Sequence, residues 1–160
     1  MALNISNSSV AEIAELLDKT RWADEFSWDQ ILKISEYLIL NKAVSGDIIY
    51  DEGDKELSMA IIAKGVVDII KVDEAGNESV IAQLHSSQSM GEMSLIDGEP
   101  RSARAVANTD VILLTLGVDK FNQCADKMPG LSLKLLWKLA RMVSQRLRKT
   151  NSNLVDLLNK

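Results

Sequence analysis

The sequence is poor in the residues from which most metal sites and covalent catalysts are assembled. Cys124 is its only cysteine and His85 its only histidine. A single cysteine forms no intramolecular disulfide, which fits a reducing cytoplasm. A single histidine cannot build a His-rich metal set, and a Cys–His pair would need two unique residues to meet by chance. No apolar run is long enough to span a bilayer. The start, Met1-Ala2-Leu3-Asn4-Ile5-Ser6-Asn7, has neither the basic head nor the apolar centre of a signal peptide. Positive charge is also in deficit, with 18 Lys and Arg against 23 Asp and Glu and a net charge of -5. Phosphate backbones are held mainly by clustered Lys and Arg, so direct DNA binding is not expected. These deficits predict a cytoplasmic protein without metal or cofactor, and no enzyme.

What is present is 160 residues, 46% hydrophobic and 26% charged, the size and composition of one compact domain with an appended helix. Ser9-Val10-Ala11-Glu12 and Ser27-Trp28-Asp29-Gln30 read as capping boxes and predict two short helices within 1–36. From Tyr37 the period changes to short β-type runs, among them Ile48 to Tyr50, Met59 to Ala63, Val66 to Val72, Ser79 to Leu84, Ala103 to Ala107 and Val111 to Leu116. Turn residues separate them at Ser45-Gly46-Asp47, Glu52-Gly53-Asp54, Lys64-Gly65 and Glu74-Ala75-Gly76-Asn77. The spacing predicts a mainly β, α+β fold, an antiparallel roll over 37–117.

Helical spacing returns over 118–160. A short helix is expected around Asp119 to Lys127, then a break at Met128-Pro129-Gly130, where proline suits a helix start. Leu136, Ala140, Val143, Leu147, Thr150, Leu154 and Leu157 then recur in steps of four and three, a heptad seam with one polar member, Thr150. A homodimer through residues 130–158 is the expectation. The bland alternative is a helix packed back on its own roll. The Lys- and Arg-rich run from Lys138 to Lys149 reads as the solvated face of that helix.

One segment inside the β region breaks the alternation: Gly91-Glu92-Met93-Ser94-Leu95-Ile96-Asp97-Gly98-Glu99-Pro100-Arg101-Ser102-Ala103. A short helical turn with an open N-terminus offers backbone N–H groups to an anion, and Arg101 with the Ser102 hydroxyl adds further donors. Glu92 is out of place beside an anion unless it faces a hydroxyl attached to that anion, as a ribose 2′-OH is attached to a cyclic phosphate. The structural alternatives are a helix N-terminal acid for Glu92 and, for Arg101, a surface salt bridge with Glu99 or Asp97.

Gly91 to Ile96 followed by Pro100 to Ala103 closely resembles the phosphate-binding cassette of the cyclic-nucleotide-binding domain family, which includes the bacterial catabolite activator and the regulatory subunits of cyclic-AMP-dependent kinase. The resemblance runs from about Phe26 to Asn151. It implies a double-stranded β-helix (jelly-roll) with a long C-terminal helix, and a sensor binding cyclic AMP or, second, cyclic GMP. In it, Gly91 lets the backbone approach the ribose, Glu92 accepts the 2′-OH and Arg101 pairs with an exocyclic phosphate oxygen. Ser102 adds its hydroxyl, the Ser102 and Ala103 amides complete the cradle, and Met93 belongs to the same ligand-binding set. Arg146-Leu147 leading to Thr150-Asn151 resembles the activator's helix, where a threonine reads the adenine edge across the dimer. Ser87 stands where the family commonly has glycine, Met90 where it has an aromatic, and Ala60 where it often has tyrosine; these departures concern packing. In the activator a winged helix-turn-helix follows the long helix, whereas this sequence ends at Lys160, so the response is expected to pass to another protein. The alternative is an interaction module of the same fold that responds to no nucleotide. Members that have lost binding usually lose the cassette Glu or Arg, and both are present here.

Overall fold

In the computed structural model, which describes residues 3–160, the chain divides into two compact units, Met1–Asn122 and Gln123–Lys160. The first opens with strand β1 (Asn4–Ile5), helix α1 (Val10–Asp18), a 3-10 turn at Arg21–Ala23 and helix α2 (Trp28–Ser35). Ser27 and Gln30 form a complete capping box at α2, each bonding the other's backbone N–H. At α1 the structure gives Ser9 as N-cap, accepting from Glu12 N at 3.2 Å. Ile13, Ala14 and Leu17 of α1 and Ile31 and Ile34 of α2 are buried, the spacing that puts one face of each short helix against apolar surface. Trp22 stacks on Phe26 with ring centroids 5.7 Å apart.

The strands that follow are β2 (Ile39–Ala43), β3 (Ile48–Tyr50), β4 (Ser58–Lys64), β5 (Val67–Val72), β6 (Glu78–Leu84), β7 (Ser89–Met90), β8 (Arg104–Ala107) and β9 (Val111–Gly117), with helix α3 (Glu92–Asp97) between β7 and β8. They form two antiparallel sheets, ordered β1-β2-β9-β4-β7 and β3-β8-β5-β6. Neighbours in a sheet are distant in sequence: Asn41 pairs with Leu113, Ala60 with Thr115, and Ile69 with Ala105. This is the expected roll. Its core takes alternate residues from both sheets, including Ala43, Ile49, Ile62, Val67, Ala105, Val111 and Leu113.

The turns show why particular residues sit there. Gly53, at φ +86, adopts a left-handed conformation open to glycine, and its N–H reaches Arg101 O at 2.8 Å. Ser87 is the one non-glycine residue at positive φ among those described, at +75. The glycine usual at this position in the family is therefore a conformational requirement that serine meets at a cost. Ser87 gains something in return, because its Oγ accepts from Arg21 N at 2.9 Å.

Helix α4 (Val118–Lys127) begins directly after β9 and crosses from the first unit into the second, which continues as helix α5 (Pro129–Leu158) with proline in its first turn. Within the second unit the buried Ser132 hydroxyl lies 3.2 Å from Cys124 Sγ across the α4–α5 corner. Ser132, Leu135 and Leu139 are buried, whereas Leu136, Leu147, Leu154 and Leu157 of the seam are exposed. No helix among the described residues is long and apolar enough to cross a membrane.

Candidate functional site

The cassette is held in place from both ends. Its C-terminal end is tied to the β3–β4 turn by Arg101 N to Asp54 O and Gly53 N to Arg101 O, both 2.8 Å. Lys71 of β5 donates to the Ser102 carbonyl and, at 2.6 Å, to Glu52 Oε1. Two residues beyond Ser102, Arg104 bridges Asp51 at 2.9 Å and Glu78 at 2.6 Å. The hydrogen-bonded Arg104 guanidinium holds the Asp51 carboxyl below the usual carboxylate range. These contacts join β3, β5 and β6 under one short segment, so the loop's position follows from the roll.

At the other end, β7 delivers the chain into Gly91, whose φ of +81 caps α3 in a left-handed conformation. A Cβ on Gly91 would stand 2.5 Å from Arg101 Nη1 and 2.7 Å from the Ser58 carbonyl oxygen. Glycine is therefore required twice, by its backbone conformation and by the guanidinium against it.

Arg101 is 5% exposed. Its Nη1 donates to Ser58 O at 2.6 Å and to Gly91 O at 3.2 Å, and its Nη2 to Ser58 Oγ at 2.8 Å. The guanidinium carbon lies 4.2 Å from the Tyr50 ring centroid, a cation–π distance. All these partners are uncharged, and among the described residues no salt bridge includes Arg101. Its Nε is buried and makes no hydrogen bond. The expected alternative, a surface salt bridge to Asp97 or Glu99, does not describe this residue. A buried cation with a spare donor and no carboxylate within ion-pair distance favours an incoming anion, although Ser58 Oγ also donates to Glu56 Oε1 at 3.4 Å and so links that carboxylate to the guanidinium.

Glu92, the first residue of α3, is 2% exposed. A helix acid acting only on the macrodipole gains nothing from such burial. Ala103 is buried, Gly91 is half-buried, and Ser102 and Met93 are exposed, so the cassette combines a protected charged interior with an accessible rim. Gly91, Glu92, Met93, Arg101, Ser102 and Ala103 thus fall on one short segment of the first unit. Thr150 and Asn151 lie on α5 in the second unit, and both are exposed.

Sequence reasoning missed Ser58, Tyr50 and Lys71. The first carried a usable signal: Ser58, Ala60 and Ile62 share one face of β4 by alternation, so a serine there is a buried polar group in need of a partner. Lys71 carried none, because its partners, the Glu52 carboxylate and the Ser102 carbonyl, are far away in the chain.

The fold is thus a two-sheet antiparallel roll that carries a short helical cassette with a buried arginine and a buried glutamate. Residues 41–128, more than half of the chain, match the family model described as the cyclic nucleotide-binding domain, and the chain belongs to that family. It is 31% identical over 113 residues to a CRP-like cAMP-activated global transcriptional regulator of Mycobacterium tuberculosis, covering 71% of this chain and 49% of that protein. It is 37% identical over 78 residues to the cAMP-dependent protein kinase regulatory subunit of Dictyostelium discoideum, covering 49% of this chain and 23% of that one. The chain thus spans about half or less of the curated relatives it matches. Among solved structures, a cyclic nucleotide-binding domain from Methylobacillus flagellatus matches with a TM-score of 0.80 and 28% identity, over 92% of this chain and 83% of that one. The Thermus thermophilus catabolite activator protein matches with a TM-score of 0.73 and 29% identity, over 86% and 62%.

Proposed function

We propose that this chain is a cyclic-nucleotide sensor whose ligand is cyclic AMP first and cyclic GMP second, and that it acts by binding without catalysis. The observation that carries this reading is Arg101, a buried cation with a spare Nε donor and no direct ion pair, in a cassette whose Glu92 is also retained and buried. The cyclic phosphate supplies the missing negative charge. A 2′-OH adjoining that phosphate is a donor that suits the Glu92 carboxylate, which a bare phosphate does not offer. Gly91, Met93, Ser102 and Ala103 form the rest of the contact set, and the family resemblance adds Thr150 and Asn151 as readers of the base from a second protomer.

The proposed output is α5. Its seam positions Leu147, Leu154 and Leu157 are 60%, 53% and 64% exposed in the single chain, which supports a homodimer through residues 130–158. Ligand binding would bias the state of this helix, and a partner protein would read it.

A thermal-shift panel of cyclic AMP, cyclic GMP and a cyclic dinucleotide tests the reading. A ligand at a hundredfold excess over its dissociation constant adds about 2.7 kcal/mol of apparent stability. A shift with cyclic AMP, and cyclic AMP recovered unhydrolysed, is the expected result. No shift with any of the three favours the second reading, a nucleotide-unresponsive interaction module that works through the same exposed helix.

A further inference from the structure

A cavity lies within the first unit on the side of Arg101 lined by its partners Ser58 and Tyr50. Its volume is about 320 Å³, and of the cassette only Arg101 contributes to its wall. The remaining wall is mainly apolar, with Ile39, Ile49, Met90 and Leu113 among its members. An apolar cavity of about 150 Å³ already stays dry and takes up benzene, and ligand pockets begin at about 300 Å³. This one is therefore large enough for a substituted single ring.

Two of its walls come from paired strands. Ala60 and Met90, paired across β4 and β7, both line the cavity. They are the two positions where family resemblance leads one to expect aromatic side chains, and the side chains present there are an alanine methyl and an unbranched methionine, while Ile5 and Ile39 at the mouth are exposed.

The polar features of the wall select among ligands. Thr115 Oγ1 and Asn41 Oδ1 are 2.7 Å apart, which occupies the amide oxygen and leaves Nδ2 as the donor that this 6%-exposed side chain still offers. Glu56 and Arg101 contribute one charge of each sign, so the wall as a whole favours neither an anion nor a cation.

We propose that this cavity is a second ligand site, for a small uncharged apolar molecule ending in a single hydrogen-bond acceptor that takes the Asn41 amide. It does not depend on the cyclic-nucleotide reading, because occupancy is measured with no nucleotide present.

Ligand-observed NMR on the full chain, with acetophenone as probe and benzoate and ethylbenzene as charged and acceptor-free analogues, tests it. Saturable binding of acetophenone is expected, about fivefold tighter than ethylbenzene for one net hydrogen bond, with benzoate weakest. Ala60→Phe and Met90→Phe each fill the space from a different wall and should abolish binding. Each places an aromatic where the fold family commonly has one, and circular dichroism confirms that the variant is folded. Asn41→Leu should erase the preference for acetophenone over ethylbenzene. Absence of saturable binding to the wild-type chain overturns the proposal, as does binding that survives both filling variants. A cyclic AMP titration of the same two variants should be unchanged, so a failed cavity and a failed cassette give different results.

Discussion

Arg101 and Glu92 carry opposite charges, and both are almost wholly buried, yet they are not joined in an ion pair. Two buried charges placed solely for stability would be expected to meet, because their attraction offsets part of the desolvation cost. In the proposed reading each meets a different part of one ligand, the arginine the phosphate and the glutamate the hydroxyl. Glu92→Gln keeps the shape and removes the charge. Calorimetry with cyclic AMP and its 2′-deoxy analogue should show wild type favouring the ribose form by the worth of a charged hydrogen bond, about 1.5–3 kcal/mol, and the variant losing much of that preference. An unchanged preference would remove Glu92 from the ribose. Sequence alone left its role open between macrodipole and ligand, because burial is a tertiary property: nothing in Gly91-Glu92-Met93 says which way the carboxylate turns.

At the scale of elements, the turns and the cassette were the most legible parts of the chain. Glycine at 46, 53, 65 and 76 marked the turns, of which only the last closes a hairpin, β5 to β6, and the runs they bound became β3 to β6 with small shifts at their ends. The two-residue strands β1 and β7 and the 3-10 turn were not visible, because segments so short carry no period of their own. Ser87 shows how a local exception becomes interpretable once the backbone is known. Its positive φ costs a side chain about 1 kcal/mol relative to glycine, and its hydroxyl offsets part of that by accepting from Arg21 N. Ser87→Ala keeps the strain and loses the bond, so it should destabilise by about 1 kcal/mol in urea titration, while Ser87→Gly should cost less than the alanine variant. An alanine variant as stable as the glycine one would contradict this account of the turn.

Across the whole molecule, the roll fixes the cassette while α5 leaves an apolar stripe exposed. The heptad spacing was legible because a period of three and four over 30 residues is a strong signal. What covers the stripe was not, since a single sequence specifies a face but no occupant. If a second copy covers it, sedimentation equilibrium should give a dimer at micromolar concentration, and Leu147→Glu with Leu154→Glu should give a folded monomer. A wild-type monomer would remove the dimer from the account and, with it, the role of Thr150 across the interface.

The central claim is that a buried Arg101, outside any direct ion pair, takes the phosphate of a cyclic nucleotide. Isothermal titration of cyclic AMP into wild type, Arg101→Lys and Arg101→Ala tests it most directly. Wild type should bind with a stoichiometry of one per chain. Lysine should bind more weakly because it keeps the charge but not the planar fork, and alanine should lose about tenfold to a hundredfold or more. Equal affinity in all three, or no binding by wild type, would contradict it.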